Sequence, residues 1–316
     1  MVGTKKNKVC SSTTAKVKTK KTTTVKTVIP PYVPNKKVIV LTGVSSGMGL
    51  EILHRLATQD CVIMIVGRDP ATVKTAITNI PPNTKKADIN VVFADLSVMP
   101  QVRAVANEIM SRLKDKNIGH IDVIFHNATQ HTNEIIHTYE RHEIQWATNY
   151  LAMVLLNNLL LPFLNKSENA RIVSTTTKPT TKQKLDYNQI QHSRDARKMF
   201  EYSKLADLMY TMQFNEEYRD TKICAYCVYP GIAQKQERRK GLLGLIDKFK
   251  EHKALPLSQA VETVLYLLTA PHLPAKVVLY HNYRPLMPSD FALNPFNRRR
   301  LWRATNSILG IETKTE

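Results

Sequence analysis

The sequence predicts a doubly wound α/β domain: a mostly parallel sheet of about seven strands with helices on both faces. Two observations carry this. From Lys36 onward, short β-branched runs alternate with longer amphipathic segments, and strands written as continuous apolar runs are those buried on both faces of a parallel sheet. The first such run ends in a glycine-rich turn, "TGVSSGMGLE", which opens a helix-length segment. That strand–turn–helix order is the one doubly wound sheets use.

The elements follow in order. Strands are read at "KKVIVLTG", "CVIMIVGR", "INVVFADL", "IDVIFHNA", "ARIVSTTT", "KICAYCVYPG" and "AKVVLYHN". Helices are read at "GLEILHRLATQ", from about Asp69, from about Val98, and as one long helix from about Asn133 to Leu164. Two more hold "RKMFEYSKLADLMY" and "SQAVETVLYLLTA". No repeat at a fixed period is evident.

Composition bounds the rest. At 316 residues, 43% hydrophobic and 22% charged, the chain is long enough to bury one large core. Residues 1–35 hold eight lysines and no acidic residue, so they supply eight of the +19 formal charges and leave +11 on residues 36–316. This Lys- and Thr-rich stretch lacks the apolar surface to fold. It reads as a solvated tail, a nuclear signal, an arm for an anionic surface, or an organellar (mitochondrial) targeting segment; targeting segments usually prefer Arg, absent here. Residues 36–316 then form the single folded domain. The basic balance favours anionic partners, namely nucleotide phosphates, anionic lipid or nucleic acid.

Four cysteines and no visible signal peptide point to a reducing, intracellular compartment, cytoplasmic or organellar. Cys224 and Cys227 form a lone CxxC on a predicted strand, which turns the two thiols to opposite faces, and no second pair completes a zinc site. The ten histidines form no metal-ligand spacing; His131, His137 and His142 read as surface or helix-packing residues. The longest apolar stretch, residues 150–164, is too short to span a bilayer.

The glycine turn brings the first chemistry. Gly43, Gly47 and Gly49 let backbone approach a pyrophosphate while the following helix N-terminus faces its charge. The TGxxxGxG spacing, "FADLS" with Asp95 and Leu96, "HNAT" with Asn127 and Ala128, and "WATNYLAMVLLNNLLLPFL" with Asn149 stand in one order. So do "YPG" with Pro230 and Gly231 and the ending "RRRLWRATNSILGI". In these motifs residues 36–312 resemble the short-chain dehydrogenase/reductase family, in its retinol-dehydrogenase-like branch. The resemblance implies a Rossmann-type fold, a nicotinamide dinucleotide held by Thr42, Gly43, Ser45, Gly47, Met48, Gly49, Asp95, Leu96, Asn127, Ala128, Lys204, Pro230 and Gly231, and carbonyl–alcohol redox on an apolar substrate such as a retinoid or sterol. Homodimers are common in the family.

The second strand ends in "VGRDP". An acidic residue there would repel a 2′-phosphate, whereas Arg68 can hold one bidentately. NADP(H) is therefore expected over NAD(H), with Asp69 capping the next helix.

The family resemblance implies a catalytic set of Asn, Ser, Tyr and Lys, the last two spaced YxxxK. Asn149 and Lys204 match, Thr177 falls at the serine position, and the tyrosine position falls on Phe200. Phe200 has no proton to give. Tyr202 lies about 200° around the helix from Lys204, on another face. Losing a general acid or base typically costs about 10²–10⁴-fold in rate, roughly 3–5 kcal/mol of barrier, while ribose contacts through Lys204 need no tyrosine. Further departures are Thr129, where the family has glycine, and Lys235, where it has threonine. The expectation is a cofactor-binding relative of weak or no activity, with proton supply by water, substrate or another side chain as the active alternative.

Residues 236–256 stand where the family has its substrate-covering segment. Within them "RRKGLLGLIDKFKEHK", 238–253, is a basic amphipathic stretch, suited to a lid packed on its own domain or to an anionic membrane surface. A rival reading is a non-catalytic scaffold or subunit that binds nucleic acid or a ribonucleoprotein. Charge alone supports it, with no recognition motif.

Overall fold

The computed structural model describes residues 36–180, 184–187, 190, 193–231, 256–274 and 277–312. The 1–35 tail, Lys235 and the 238–253 segment lie outside them. Strands β1 (Lys37–Thr42), β2 (Cys61–Gly67), β3 (Asp88–Phe93), β4 (Val123–His126), β5 (Ala170–Thr175), β6 (Ile223–Val228), β7 (Leu279–His281) and β8 (Arg284–Pro285) form one sheet. Its order is β3-β2-β1-β4-β5-β6-β7-β8. All neighbours are parallel except β7 and β8. The eighth strand, beyond the seven expected, is a two-residue edge piece. It returns from β7 through Asn282 and Tyr283, both with positive φ.

The chain moves outward from β1 to β3 and then comes back to lay β4 against β1. That reversal opens a crevice at the carboxyl ends of β1 and β4. Thr42 is level with Val66 on one side and His126 on the other, so the three strand ends form one floor.

Helices cover both faces. On one lie α3 (Met99–Asp115), α4 (Ala152–Leu164) and α5 (Ala196–Glu217), packed in a cluster with Val38 and Val40. On the other, α1 (Gly47–Ala57), α2 (Pro70–Thr78) and α7 (Glu262–Thr269) pack with Ile39 and Leu41. Alternate residues of β1 thus enter opposite layers, as the two-residue period of a strand requires. A four-residue helix, α6 (Leu257–Ala260), precedes α7; α8 (Asp290–Leu293) and α9 (Pro295–Leu309) close the described chain. On β6 the pattern sends Cys227 into the first cluster and Cys224 to the second.

The long helix expected from Asn133 begins later. Arg141 takes φ 65° and His137 bridges Glu143 in antiparallel fashion, which folds residues 129–143 into a loop. Glu143 then caps the helix: its carboxylate accepts the Trp146 N–H at 2.9 Å. A π-helical turn, Trp146–Leu151, leads into α4. The apolar helix Trp146–Leu164 is 19 residues with mean hydropathy 1.4, longer than the stretch read from sequence and long and apolar enough to cross a membrane. In this fold it is a core helix, with Tyr150, Leu151, Leu155 and Leu160 fully buried.

Candidate active site

The β1–α1 turn needs its glycines for two separate reasons. Gly43 (φ 67°) and Gly47 (φ 54°) take left-handed backbone, which costs a residue with a Cβ about 1–2 kcal/mol. Space is the second. A Cβ on Gly43 would come within 2.4 Å of the Ala128 nitrogen, and one on Gly49 within 2.0 Å of the Gly43 carbonyl oxygen. The turn therefore sits directly on the loop after β4.

Thr42 and Asn127 lock that contact. Thr42 Oγ1 accepts the N–H groups of Asn127 and Ala128 at 3.1 and 3.2 Å. Asn127 Nδ2 donates to the Gly43 carbonyl at 2.6 Å. A Cβ on Gly47 would meet no described residue within 4 Å. A cavity of about 490 Å³ opens here, lined by Gly43, Ser45, Ser46, Arg68, Asp95, Leu96, Asn127 and Ala128 among others. Ser46 gives α1 no side-chain cap. An uncapped helix N-terminus beside backbone that only glycine permits suits a pyrophosphate, so the residues present fit a dinucleotide.

Arg68 is exposed and lines this cavity. Its neighbour Asp69 is the N-cap of α2, where its carboxylate accepts the N–H groups of Thr72 at 3.0 Å and Ala71 at 3.4 Å. Those bonds, chiefly from Thr72, and the charge of Arg68 hold the Asp69 carboxyl below its ordinary range. Asp95 Oδ1 accepts both the N–H and the hydroxyl of Ser97, which fixes the half-buried carboxylate at the cavity wall.

Of the other predicted residues, Met48 and Gly49 lie on α1 behind the turn. Asn149, Thr177, Lys204, Pro230 and Gly231 lie outside this cavity's lining. Asn149, on the π-helical turn, grips the backbone of Gln130 on both sides: its Oδ1 accepts the N–H at 2.7 Å and its Nδ2 donates to the carbonyl at 3.1 Å. The same Nδ2 donates to Ser203 Oγ on α5 at 3.0 Å. Asn149 thus ties the cofactor-side loop to the helix of Lys204. Thr177 is half-buried, just past β5, and the hydroxyl of its neighbour Thr176 donates to the Lys204 carbonyl.

Lys204 itself is buried, and its ammonium donates to the Thr175 carbonyl at 3.1 Å and to Asp207 at 3.2 Å. Burial pushes the Asp207 carboxyl up to about 6 against the opposing pull of Lys204. Nearby His126 bonds Asn157 at 2.7 Å, and burial drives its imidazole down to about 4. Phe200 is half-buried, one turn before Lys204, and His131 meets its ring edge-on with centroids 4.7 Å apart. Tyr202 lines a separate surface cleft with Tyr187, Phe291 and Arg300.

Sequence reasoning missed Thr72, Gln130 and Thr148 in the cavity wall, and the partners Asp207 and His131. Asp207 carried a signal, since three residues on a helix bring side chains together. His131 carried none, being brought to Phe200 only by the fold. Among the described residues, no cluster of three or more His, Cys, Asp or Glu stands where it could hold a metal ion.

A family profile described as short chain dehydrogenase matches residues 37–241. The chain belongs to the short-chain dehydrogenase family. Members of this family bind nicotinamide dinucleotides and act as oxidoreductases. Among curated relatives, mouse retinol dehydrogenase 12 is 28% identical over 280 residues, covering 87% of each chain. Oxidoreductase calI of Penicillium decumbens is 28% identical over 309 residues, covering 88% of each. Solved short-chain dehydrogenase folds agree at lower identity. An uncharacterised Mycobacterium paratuberculosis protein superposes with TM-score 0.68 at 20% identity, covering 88% of this chain and 95% of that one. A single-substitution variant of actinorhodin polyketide ketoreductase, solved with NADPH, gives 0.57 at 18%, covering 77% and 95%.

Proposed function

We propose that this short-chain dehydrogenase binds NADP(H) and carries out carbonyl–alcohol redox on an apolar, lipid-like substrate, at a rate limited by the missing hydroxyl at Phe200. The single observation that carries the reading is the juxtaposition on α5: Lys204 is kept, its neighbour Ser203 accepts a hydrogen bond from Asn149, and the residue one turn earlier is a phenylalanine. Arg68 supports NADP(H), because it lines the cavity beside an aspartate whose carboxylate is engaged in capping α2. A retinoid is the substrate class that the retinol dehydrogenase relatives suggest, and a sterol or other lipid ketone stands beside it on the family resemblance. When bound, the nicotinamide supplies or accepts the hydride; the chain's own residues bind it, orient the substrate and handle the proton.

Titrating NADPH and NADH fluorescence against the purified protein, then assaying a panel of retinal and ketosteroids, tests the reading. NADPH binding tighter than NADH, with slow reduction of an apolar carbonyl, is expected. No binding of either nucleotide would overturn it and promote the scaffold reading, which rests on charge alone.

A further inference from the structure

The loop after β4 carries a second ring into the place where the proton is missing. Gln130 lines the dinucleotide cavity and is held by Asn149 through both its N–H and its carbonyl. Two residues on, the Thr132 N–H is held by Gln145 Oε1 at 3.2 Å. His131 lies between these two anchors, so its backbone has little freedom although its side chain is exposed. Its imidazole stands edge-on to Phe200, interplanar angle 82°. A contact of that kind orients one ring against another and is worth about 0.5–1.5 kcal/mol beyond burial. An exposed, titratable ring is thus fixed beside the ring that lacks a hydroxyl, next to a residue of the cofactor cavity.

We infer that His131 is the proton donor in carbonyl reduction by this protein, and the acceptor in the reverse direction. The inference rests on the redox reading above. In reduction, the hydride supplied by the reduced nicotinamide forms a C–H bond at the carbonyl carbon. The C=O π pair moves to oxygen, which takes the proton of the imidazolium N–H. Neutral imidazole remains and is reprotonated by solvent, to which the exposed side chain has access. Histidine suits the task because an imidazole nitrogen can both give and take a proton. The ring is presented from the loop after β4 and not from α5, the helix that carries Lys204.

The test uses the full chain with NADPH and all-trans-retinal, in wild type, His131→Gln, Phe200→Tyr and the double variant. His131→Gln should lower turnover by about 10²-fold or more with NADPH affinity unchanged and the thermal midpoint lowered by no more than a few degrees, and Phe200→Tyr in the same chain should restore it. A readout without turnover accompanies this: the His131 imidazole resonance, assigned by its loss in His131→Gln, should shift on adding NADP⁺ but not adenosine 2′,5′-bisphosphate, which lacks the nicotinamide. Turnover of His131→Gln equal to wild type, a double variant as slow as His131→Gln, or wild type that binds NADPH without reducing retinal would each overturn the assignment while leaving cofactor binding in place. Failure to bind NADPH would instead overturn the proposed function beneath it.

Discussion

The ammonium of Lys204 lies 3.2 Å from Oδ2 of Asp207, one turn further along α5, with both side chains buried. The lysine is therefore held from behind by an ion pair within its own helix, and the other oxygen of Asp207 is buried with no hydrogen-bond partner among the described residues. Removing one member of a buried pair leaves the other uncompensated, at a cost of about 3–5 kcal/mol. Asp207→Leu should destabilise the fold by that order in denaturant unfolding and should weaken NADPH binding, because Lys204 loses its anchor.

The same pair gives a pH signature. The folded Asp207 carboxyl is raised from 3.8 to about 6, so the native state keeps a proton that the unfolded chain releases. The stability this contributes is complete below about 3.8 and is lost as pH rises through about 6. Unfolding free energies of wild type minus Asp207→Asn, measured across that interval, should fall with rising pH. His126 acts oppositely: its imidazole is depressed from 6.5 to about 4, so its contribution is present above 6.5 and lost as pH falls through about 4. His126→Leu should be less acid-sensitive over that range, whatever its total stability.

The glycines of the β1–α1 turn should separate by position. Gly49→Ala places a methyl 2.0 Å from a backbone oxygen and 2.7 Å from Asn127 Nδ2, and neither can yield without opening the contact between the two loops. NADPH binding should be lost, with a large drop in melting temperature. Gly47→Ala meets no atom of the described residues and carries only the left-handed backbone cost of roughly 1–2 kcal/mol, so its melting temperature should fall by a few degrees.

Arg68→Ala should discriminate the two cofactors. Charge-assisted hydrogen bonds to a phosphate are worth about 1.5–3 kcal/mol, or roughly 10–100-fold in affinity. Fluorescence titration should show NADPH binding weakened by that factor and NADH binding nearly unchanged. Equal losses for both would remove the 2′-phosphate from Arg68.

Much of this was legible in residue order. The apolar runs of β1, β2 and β5 are buried along nearly their whole length, so their composition reported their place directly. Asp69 announced a helix start, because a short acidic side chain before proline caps and does little else there. The loop at 129–143 was not legible: "NEIIHTYERHE" has helix-forming residues, and only the capping role of Glu143 and the positive φ of Arg141 move the helix start to Trp146. At position 200 the family resemblance implies a tyrosine, where the sequence has Phe200. That His131 stands against it depends on how Asn149 pins Gln130, a tertiary fact with no periodicity to betray it.

Intact cofactor binding, with proton transfer as the step that Phe200 limits, is the proposal these predictions share. Measuring NADPH affinity and retinal turnover for wild type beside Phe200→Tyr tests it most directly. Unchanged NADPH affinity is expected, with turnover raised at least about tenfold, toward the 10²–10⁴ range a general acid supplies. Wild-type turnover at the rate of tyrosine-bearing relatives, with no gain in Phe200→Tyr, would contradict it.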